Sequence, residues 1–256
     1  MESTVNQYTY IIANFIKGLD GQDLDKEAIR NFLARYSNHS KHRYSNVLKA
    51  LRILIRDYLG KGELIKSFAF PHIGYEYKEV PTKEQFKRFF QALDSPMSRC
   101  LALLYATSGL RRDEVRKLRI KDLDRANRMI KPADETSRTK GRFVSFWNSE
   151  CDKVLNEHLG ESNGQDPETR LFSISAFEVN RIFKKASEKS GVKIKPTDLR
   201  RFFATEMSRL GVSETYINCY QGRLPRSVLS RHYLDLSKER LKEVYDKADL
   251  KTGVLE

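Results

Sequence analysis

Apolar residues recur at steps of three and four along almost all of this chain, a period that fits helices and leaves one short window for a sheet. Tyr8, Ile11, Ile12, Phe15 and Ile16 form a first stripe, and Ile29, Phe32 and Leu33 a second after a turn at Gly18 to Gly21. A third helix is expected from about Lys41 to Tyr58, with Val47, Leu51, Leu54, Ile55 and Tyr58 on its inner face. Lys49, Arg52 and Arg56 fall on the opposite face. They are candidates for phosphate contact, and a plain solvated face reads equally well. Pro71, Gly74 and Pro81 then interrupt the pattern around a polar, tyrosine-rich stretch. The chain therefore reads as a helical domain over residues 1–72, a linker at 73–81 and a second domain over 82–256.

The second domain opens on Pro81-Thr82-Lys83-Glu84-Gln85, where Thr82 can cap a helix and Gln85 can complete a capping box. Phe86, Phe89, Phe90 and Leu93 give that helix a core-facing stripe. An apolar segment from Leu101 to Tyr105 leads to a Ser-Gly turn and a helix from Arg111 to Leu118. Between Ile120 and Trp147 the character changes. Strand-like pieces around Met129-Ile130-Lys131 and Phe143-Val144-Ser145-Phe146 flank a polar turn, which predicts a small antiparallel element with Lys140 at or near its hairpin. Helical patterns resume at Cys151 to Leu159, Ala176 to Lys189, Asp198 to Leu210, Ser213 to Tyr220 and Ser237 to Ala248. The expected fold class is mainly α with a small antiparallel β-sheet.

The 47 Lys and Arg against 34 Asp and Glu give a net charge of +13, enough for salt-dependent binding to a polyanion. That balance by itself does not decide for a nucleic acid. No apolar stretch is long enough to span a bilayer, and the N-terminus lacks the basic-then-apolar order of a secretory signal, so no membrane partner and a cytoplasmic location are expected. Cys100, Cys151 and Cys219 are odd in number and widely spaced, and the histidines are scattered. Neither a disulfide framework nor a metal site is expected. Without a Walker loop, no cofactor is expected either.

Five residues in the second domain share a chemistry. Arg111 stands in Thr-Ser-Gly-Leu-Arg-Arg-Asp-Glu-Val, Lys140 in Ser-Arg-Thr-Lys-Gly-Arg, Arg200 in Pro-Thr-Asp-Leu-Arg-Arg-Phe-Phe-Ala-Thr, Arg223 in Gln-Gly-Arg and Tyr233 in Arg-His-Tyr-Leu-Asp. Attack of a phenol on a phosphodiester builds negative charge on the phosphoryl oxygens and leaves an oxygen in need of a proton. Three guanidinium groups and an ammonium answer both needs.

In their order these residues resemble the tyrosine recombinase (phage integrase) superfamily. Gly-Leu-Arg-x-x-Glu at Gly109 to Glu114 is similar to its first arginine motif, and Asp-Leu-Arg-x-x-x-Ala-Thr at Asp198 to Thr205 to its second. Two departures narrow the likeness. Thr197 stands where a histidine is usual, and Gly222-Arg223 where Gly-His or Gly-Trp is usual, which resembles the integrases of archaeal viruses and plasmids. The resemblance implies a helical core-binding domain that grips DNA, a catalytic domain after the linker, and Tyr233 as the nucleophile of a 3′-phosphotyrosyl intermediate. Arg111, Arg200 and Arg223 would then hold nonbridging oxygens, where a planar fork does better than an ammonium. Lys140 would protonate the leaving 5′ oxygen. Thr197, Lys195 and Glu114 are accessory candidates, Lys195 as a substitute for the usual histidine and Glu114 as a partner that holds an arginine.

Rivals stay open at this stage: Arg112 for Arg111, Arg201 for Arg200, Arg138 or Arg142 for Lys140, and Tyr216, Tyr220 or Tyr245 for Tyr233. The expected partner is double-stranded DNA carrying a specific recombination site, with self-assembly on it as a tetramer in the synapse. Leu241, Val244 and Tyr245 would dock the C-terminal helix on a neighbour or pack on their own domain. A type IB topoisomerase-like enzyme and a non-catalytic DNA-binding accessory protein are the alternative functions.

Overall fold

The computed structural model describes residues 2–74, 76–131, 143–160, 166–223, 227 and 233–255. The chain divides into two units, residues 1–77 and 78–256. The first contains α1 (Glu2–Leu19), α2 (Lys26–Ala34), α3 (Lys41–Arg52) and the single turn α4 (Gly62–Ile65). Asp25 and Ser40 start α2 and α3 by accepting from the Ala28 and Arg43 backbone N–H groups, which satisfies donors that a helix start leaves unpaired. Ile11, Phe15, Ile29, Phe32, Val47 and Leu51 meet in the core of this unit, as their spacing requires.

Two members of the expected stripes lie outside that core. Ile16 is exposed, and so is Tyr58. The reason at Tyr58 is a change of helix type, because α3 continues as a π-helix over Ile53–Tyr58 in which Leu59 N–H reaches back five residues to the Leu54 carbonyl. Each such turn holds an extra residue, so positions after Ile53 drift out of phase with an α-helical stripe.

The second unit is built around α6 (Pro96–Ser108), whose side chains from Cys100 to Ser108 are all buried. Ser95 and Ser98 form a capping box at its start, with Pro96 in the first turn, where its missing N–H costs nothing. Helices α8 (Ser149–Leu159) and α10 (Pro196–Arg209) pack along it, and α5 (Lys83–Gln91) packs on α9 (Ala176–Ser190). The capping box of Thr82 and Gln85 on α5 is present in both directions. Helix α7 (Arg112–Lys117) follows α6, and α11 (Glu214–Tyr220) and α12 (Lys238–Ala248) complete the unit.

The sheet consists of three two-residue strands in the order β1 (Leu123–Asp124), β2 (Met129–Ile130), β3 (Ser145–Phe146), antiparallel throughout. Met129 pairs with Phe146 and Ile130 with Ser145. Strand β1 is an addition to the two expected pieces. Its residues are half-buried and too few to show an alternating pattern.

Helix α12 buries Leu241 and Tyr245 among Phe146, Phe203, Met207 and Tyr220 of its own unit. Beyond it the chain returns to the start of α8. The Glu150 carboxylate accepts from Thr252, Gly253 and Val254 backbone N–H groups, and Asn148 Nδ2 donates to the Leu250 carbonyl. Of the two placements open for the C-terminal helix, packing on its own domain is the one observed. Among the described residues no helix is long and apolar enough to cross a membrane.

Candidate active site

Helix α6 ends at Gly109, with φ +65°, and an added Cβ there would lie 2.4 Å from the Phe203 ring. Only glycine fits, both for the left-handed turn and for the approach of α10. Two residues later Arg111 stands at the start of α7. Its backbone N–H and its Nη1 both donate to the Glu114 carboxylate, each at 2.7 Å. Burial opposes ionisation of Glu114, but these bonds and the nearby Arg200 outweigh it and hold its carboxyl below the ordinary range.

Arg200 projects from the second turn of α10. Its Nη1 donates to the Gly109 carbonyl and its Nη2 to the Gln221 carbonyl at 2.8 Å, while Glu114 Oε2 lies 3.9 Å from Nη1. The side chain is only 12% exposed. Burial, with the charges of Arg111 and Arg223 added, pushes this guanidinium down to about 10. The neighbouring arginines have partners of their own: Arg201 pairs with Asp198 at 2.6 Å, and Arg112, which lines the same cleft as Arg111, pairs with Asp113 and Asn180.

Arg223 follows α11 through Gly222, whose φ is +63° and where an added Cβ would lie 3.8 Å from Arg111 Nη1. Its backbone N–H donates to the Asn218 carbonyl at 2.8 Å and its Nη1 to Asn218 Oδ1 at 3.1 Å, with the side chain left exposed. Three guanidinium groups from the start of α7, the body of α10 and the end of α11 are thus gathered. Arg111, Glu114 and Arg200 line a cleft of about 1320 Å³ that also takes in Lys195 and Thr197, both exposed at the start of α10. Among the described residues no group of His, Cys, Asp or Glu is placed to hold a metal ion.

Tyr233 is 75% exposed, and among the described residues no hydrogen bond or ion pair links it to the arginines. Its rivals are occupied. The Tyr220 hydroxyl donates to the Leu241 carbonyl and the Tyr245 hydroxyl to the Thr107 carbonyl, each at 2.8 Å, and burial raises both phenols well above the ordinary range. Tyr216 is half-buried against Arg240. Lys140 and its rivals Arg138 and Arg142 lie outside the described residues. The strand that follows them is tied to the site, because Ser145 Oγ donates to the carbonyl of Ser108, three residues before Arg111.

In the first unit Lys49 is exposed. Arg52 is engaged with the Phe68 carbonyl at 2.8 Å and stacks over the Phe70 ring, and Arg56 pairs with Asp57 at 2.6 Å. Gln221, which stands in the Gln-Gly-Arg motif, is a residue of this cluster to which the sequence assigned no role. It is buried and polar, so it contributes to no apolar period.

The architecture is mainly helical with one small antiparallel sheet, and it brings Arg111 and Arg200 to one cleft with Arg223 close by. Residues 79–240 match the model of the phage integrase family, and the chain belongs to that family. Its members are tyrosine recombinases, enzymes of DNA strand transfer, and this protein is one of them. It is 27% identical over 259 residues to the tyrosine recombinase XerA of the archaeon Thermococcus kodakarensis, across 96% of this chain and 89% of that one. Its fold is similar to the crystal structure of XerA recombinase, with a TM-score of 0.51 at 21% identity, covering 98% of this chain and 93% of the other. It is also similar to a lambda integrase tetramer bound to a Holliday junction, with a TM-score of 0.70 at 14% identity, covering 89% and 73%.

Proposed function

We propose that the protein is a site-specific DNA recombinase that cuts and rejoins strands through Tyr233. The phenolic oxygen forms a bond to the scissile phosphorus, the bond from phosphorus to the 5′ oxygen breaks, and that oxygen takes a proton from Lys140. A 3′-phosphotyrosyl linkage results, and a free 5′-hydroxyl remains. Attack by the 5′-hydroxyl of a partner strand reverses the step and returns the tyrosine, so the energy of the broken bond is retained in the covalent intermediate. Arg111, Arg200 and Arg223 hold the nonbridging oxygens as charge grows on them. Thr197 and Lys195 occupy the cleft where a group that moves the nucleophile's proton is needed, and Glu114 holds Arg111.

The observation that carries this reading is that Arg111, at the start of α7, and Arg200, in the second turn of α10, line one cleft, with Glu114 and Gly109 between them and Gln221 tying Arg200 to the segment that carries Arg223. Like charges are gathered at a cost that Glu114 offsets in part and an anionic ligand would offset further. The named recombinase and integrase relatives favour recombination over the nicking and closing of a single strand, and over an inactive accessory role. Double-stranded DNA is the partner, gripped in part by the basic face of α3 that carries Lys49. The lambda integrase relative was captured as a tetramer on a junction, which supports a tetrameric synapse here. The recombinase works on its recombination site in the cytoplasm.

The test is covalent attachment to a nicked duplex. Wild-type protein should attach in excess chelator, since guanidinium groups do the work a metal would otherwise do. Tyr233→Phe should bind the duplex nearly as well and attach not at all. Attachment that persists in this variant moves the nucleophile elsewhere.

A further inference from the structure

Gln221 closes α11 and is 3% exposed. Its side-chain Nε2 donates to the Arg200 backbone carbonyl at 3.2 Å, while its own backbone carbonyl accepts from Arg200 Nη2 at 2.8 Å. The two residues therefore close a ring of two hydrogen bonds, each giving one backbone and one side-chain group. Neither can slide along the other without breaking a bond. One residue on, Gly222 lies against the Arg111 guanidinium, and Arg223 follows with its N–H bound to the Asn218 carbonyl. A shift of residue 221 is thus passed to Arg200 directly and to Arg223 across two residues. Repulsion among the three guanidinium groups pushes towards such a shift. An apolar side chain of the same length would fill the space and hold nothing.

We infer that Gln221 is a positioning residue for strand cleavage, its amide holding the Arg200 fork where it meets the oxygens of the scissile phosphate. The inference rests on the proposal that these arginines hold the scissile phosphate. It is tested by single-turnover covalent attachment to a nicked duplex, with duplex Kd and Tm measured alongside. Gln221→Met keeps the length of the side chain and removes the donor. It should leave Kd and Tm close to wild type and slow attachment roughly 10- to 100-fold, the cost of a small misplacement of catalytic groups. In an Arg200→Lys background, where the fork being positioned is gone, adding Gln221→Met should slow attachment little further.

Wild-type rates in Gln221→Met overturn the inference, as does a full multiplicative loss in the double variant or a loss of binding that matches the loss of rate. If Gln221→Met lowers Tm, Gln221→Glu, which keeps the shape and loses the donor on ionising, carries the same comparison under the same criteria. Should Arg200→Lys attach as fast as wild type, the arginine proposal itself fails, and the role of Gln221 falls with it.

Discussion

Glu114 turns both carboxylate oxygens on Arg111, one accepting from the guanidinium and the other from the backbone N–H, each at 2.7 Å. The first bond fixes the side chain and the second fixes the start of α7, so the direction of the guanidinium and of the helix are set by one acid. The same carboxylate lies 3.9 Å from Arg200 and offsets part of the charge of both arginines. A neutral amide at this position would keep the shape and lose that balance.

The bond has a pH signature. Glu114 in the folded protein titrates below its ordinary value of 4.5, so its ionised form adds stability above that pH, and the contribution is lost as pH falls through the lowered value. Glu114→Gln should cost about 1.5–3 kcal/mol at neutral pH, the scale of a hydrogen bond to a charged group. It should also flatten the acid side of the curve of Tm against pH. Parallel acid limbs in wild type and variant would show that the carboxylate does not carry this dependence.

The assignment of Lys140 is checked by the leaving group. A bridging 5′-phosphorothiolate departs without needing a proton, so Lys140→Ala should cut ordinary DNA poorly and recover much of its rate on the sulfur substrate. An equal loss on both substrates would make Lys140 a positioning group. Ser145, five residues after Lys140 in the chain, is bonded to the Ser108 carbonyl at 2.5 Å, three residues before Arg111.

Like charges held together lower stability until an anion arrives. Burial first, then the charge of Arg111 and least that of Arg223, against the opposing pull of Glu114, bring Arg200 down to about 10. Arg223→Ala should therefore leave Tm unchanged or raise it at low salt while stopping strand cleavage, and added salt should shrink the difference in Tm. A marked fall in Tm would show that Arg223 holds the end of α11 through Asn218 more than it serves the phosphate.

Much of this was legible in the residues, for reasons that differ from element to element. Helix α5 announced itself through Thr82 and Gln85, because a capping box is a contact between near neighbours in the chain. The turn ahead of Arg111 was legible too, because a Ser-Gly pair after an apolar run marks a helix end locally, and Gly109 ends α6 in a left-handed turn. The exposure of Tyr58 was not legible, since a π turn changes the period without changing the kind of residue used. Nor was the engagement of Arg52 with the Phe68 carbonyl, which turns a residue of the basic face back onto its own unit. The contacts of Gln221 and Glu150 were not legible for the same reason. Each is a polar group whose partners lie elsewhere in the chain, and no local period records such a contact.

The C-terminal segment yields the last prediction. Leu241 and Tyr245 lie in the core that holds Phe203 and Phe146, and residues 252 to 254 close over Glu150. Removing everything after Leu236 takes away the large buried side chains of Leu241, Tyr245 and Leu250, worth roughly 2–5 kcal/mol each by the scale of large core truncations. A domain usually has about 5–15 kcal/mol in all. The truncated protein should therefore lose its cooperative melt and its binding to a single site together, rather than lose assembly alone. Val244, half-buried on the same helix, offers the complementary test. Val244→Asp should leave the fold nearly intact, so a selective loss of cooperative assembly on paired sites in that variant, with single-site binding kept, would show that this helix also meets a neighbour. If truncation after Leu236 leaves a protein that still melts cooperatively and binds one site, the packing of α12 contributes far less than its burial indicates.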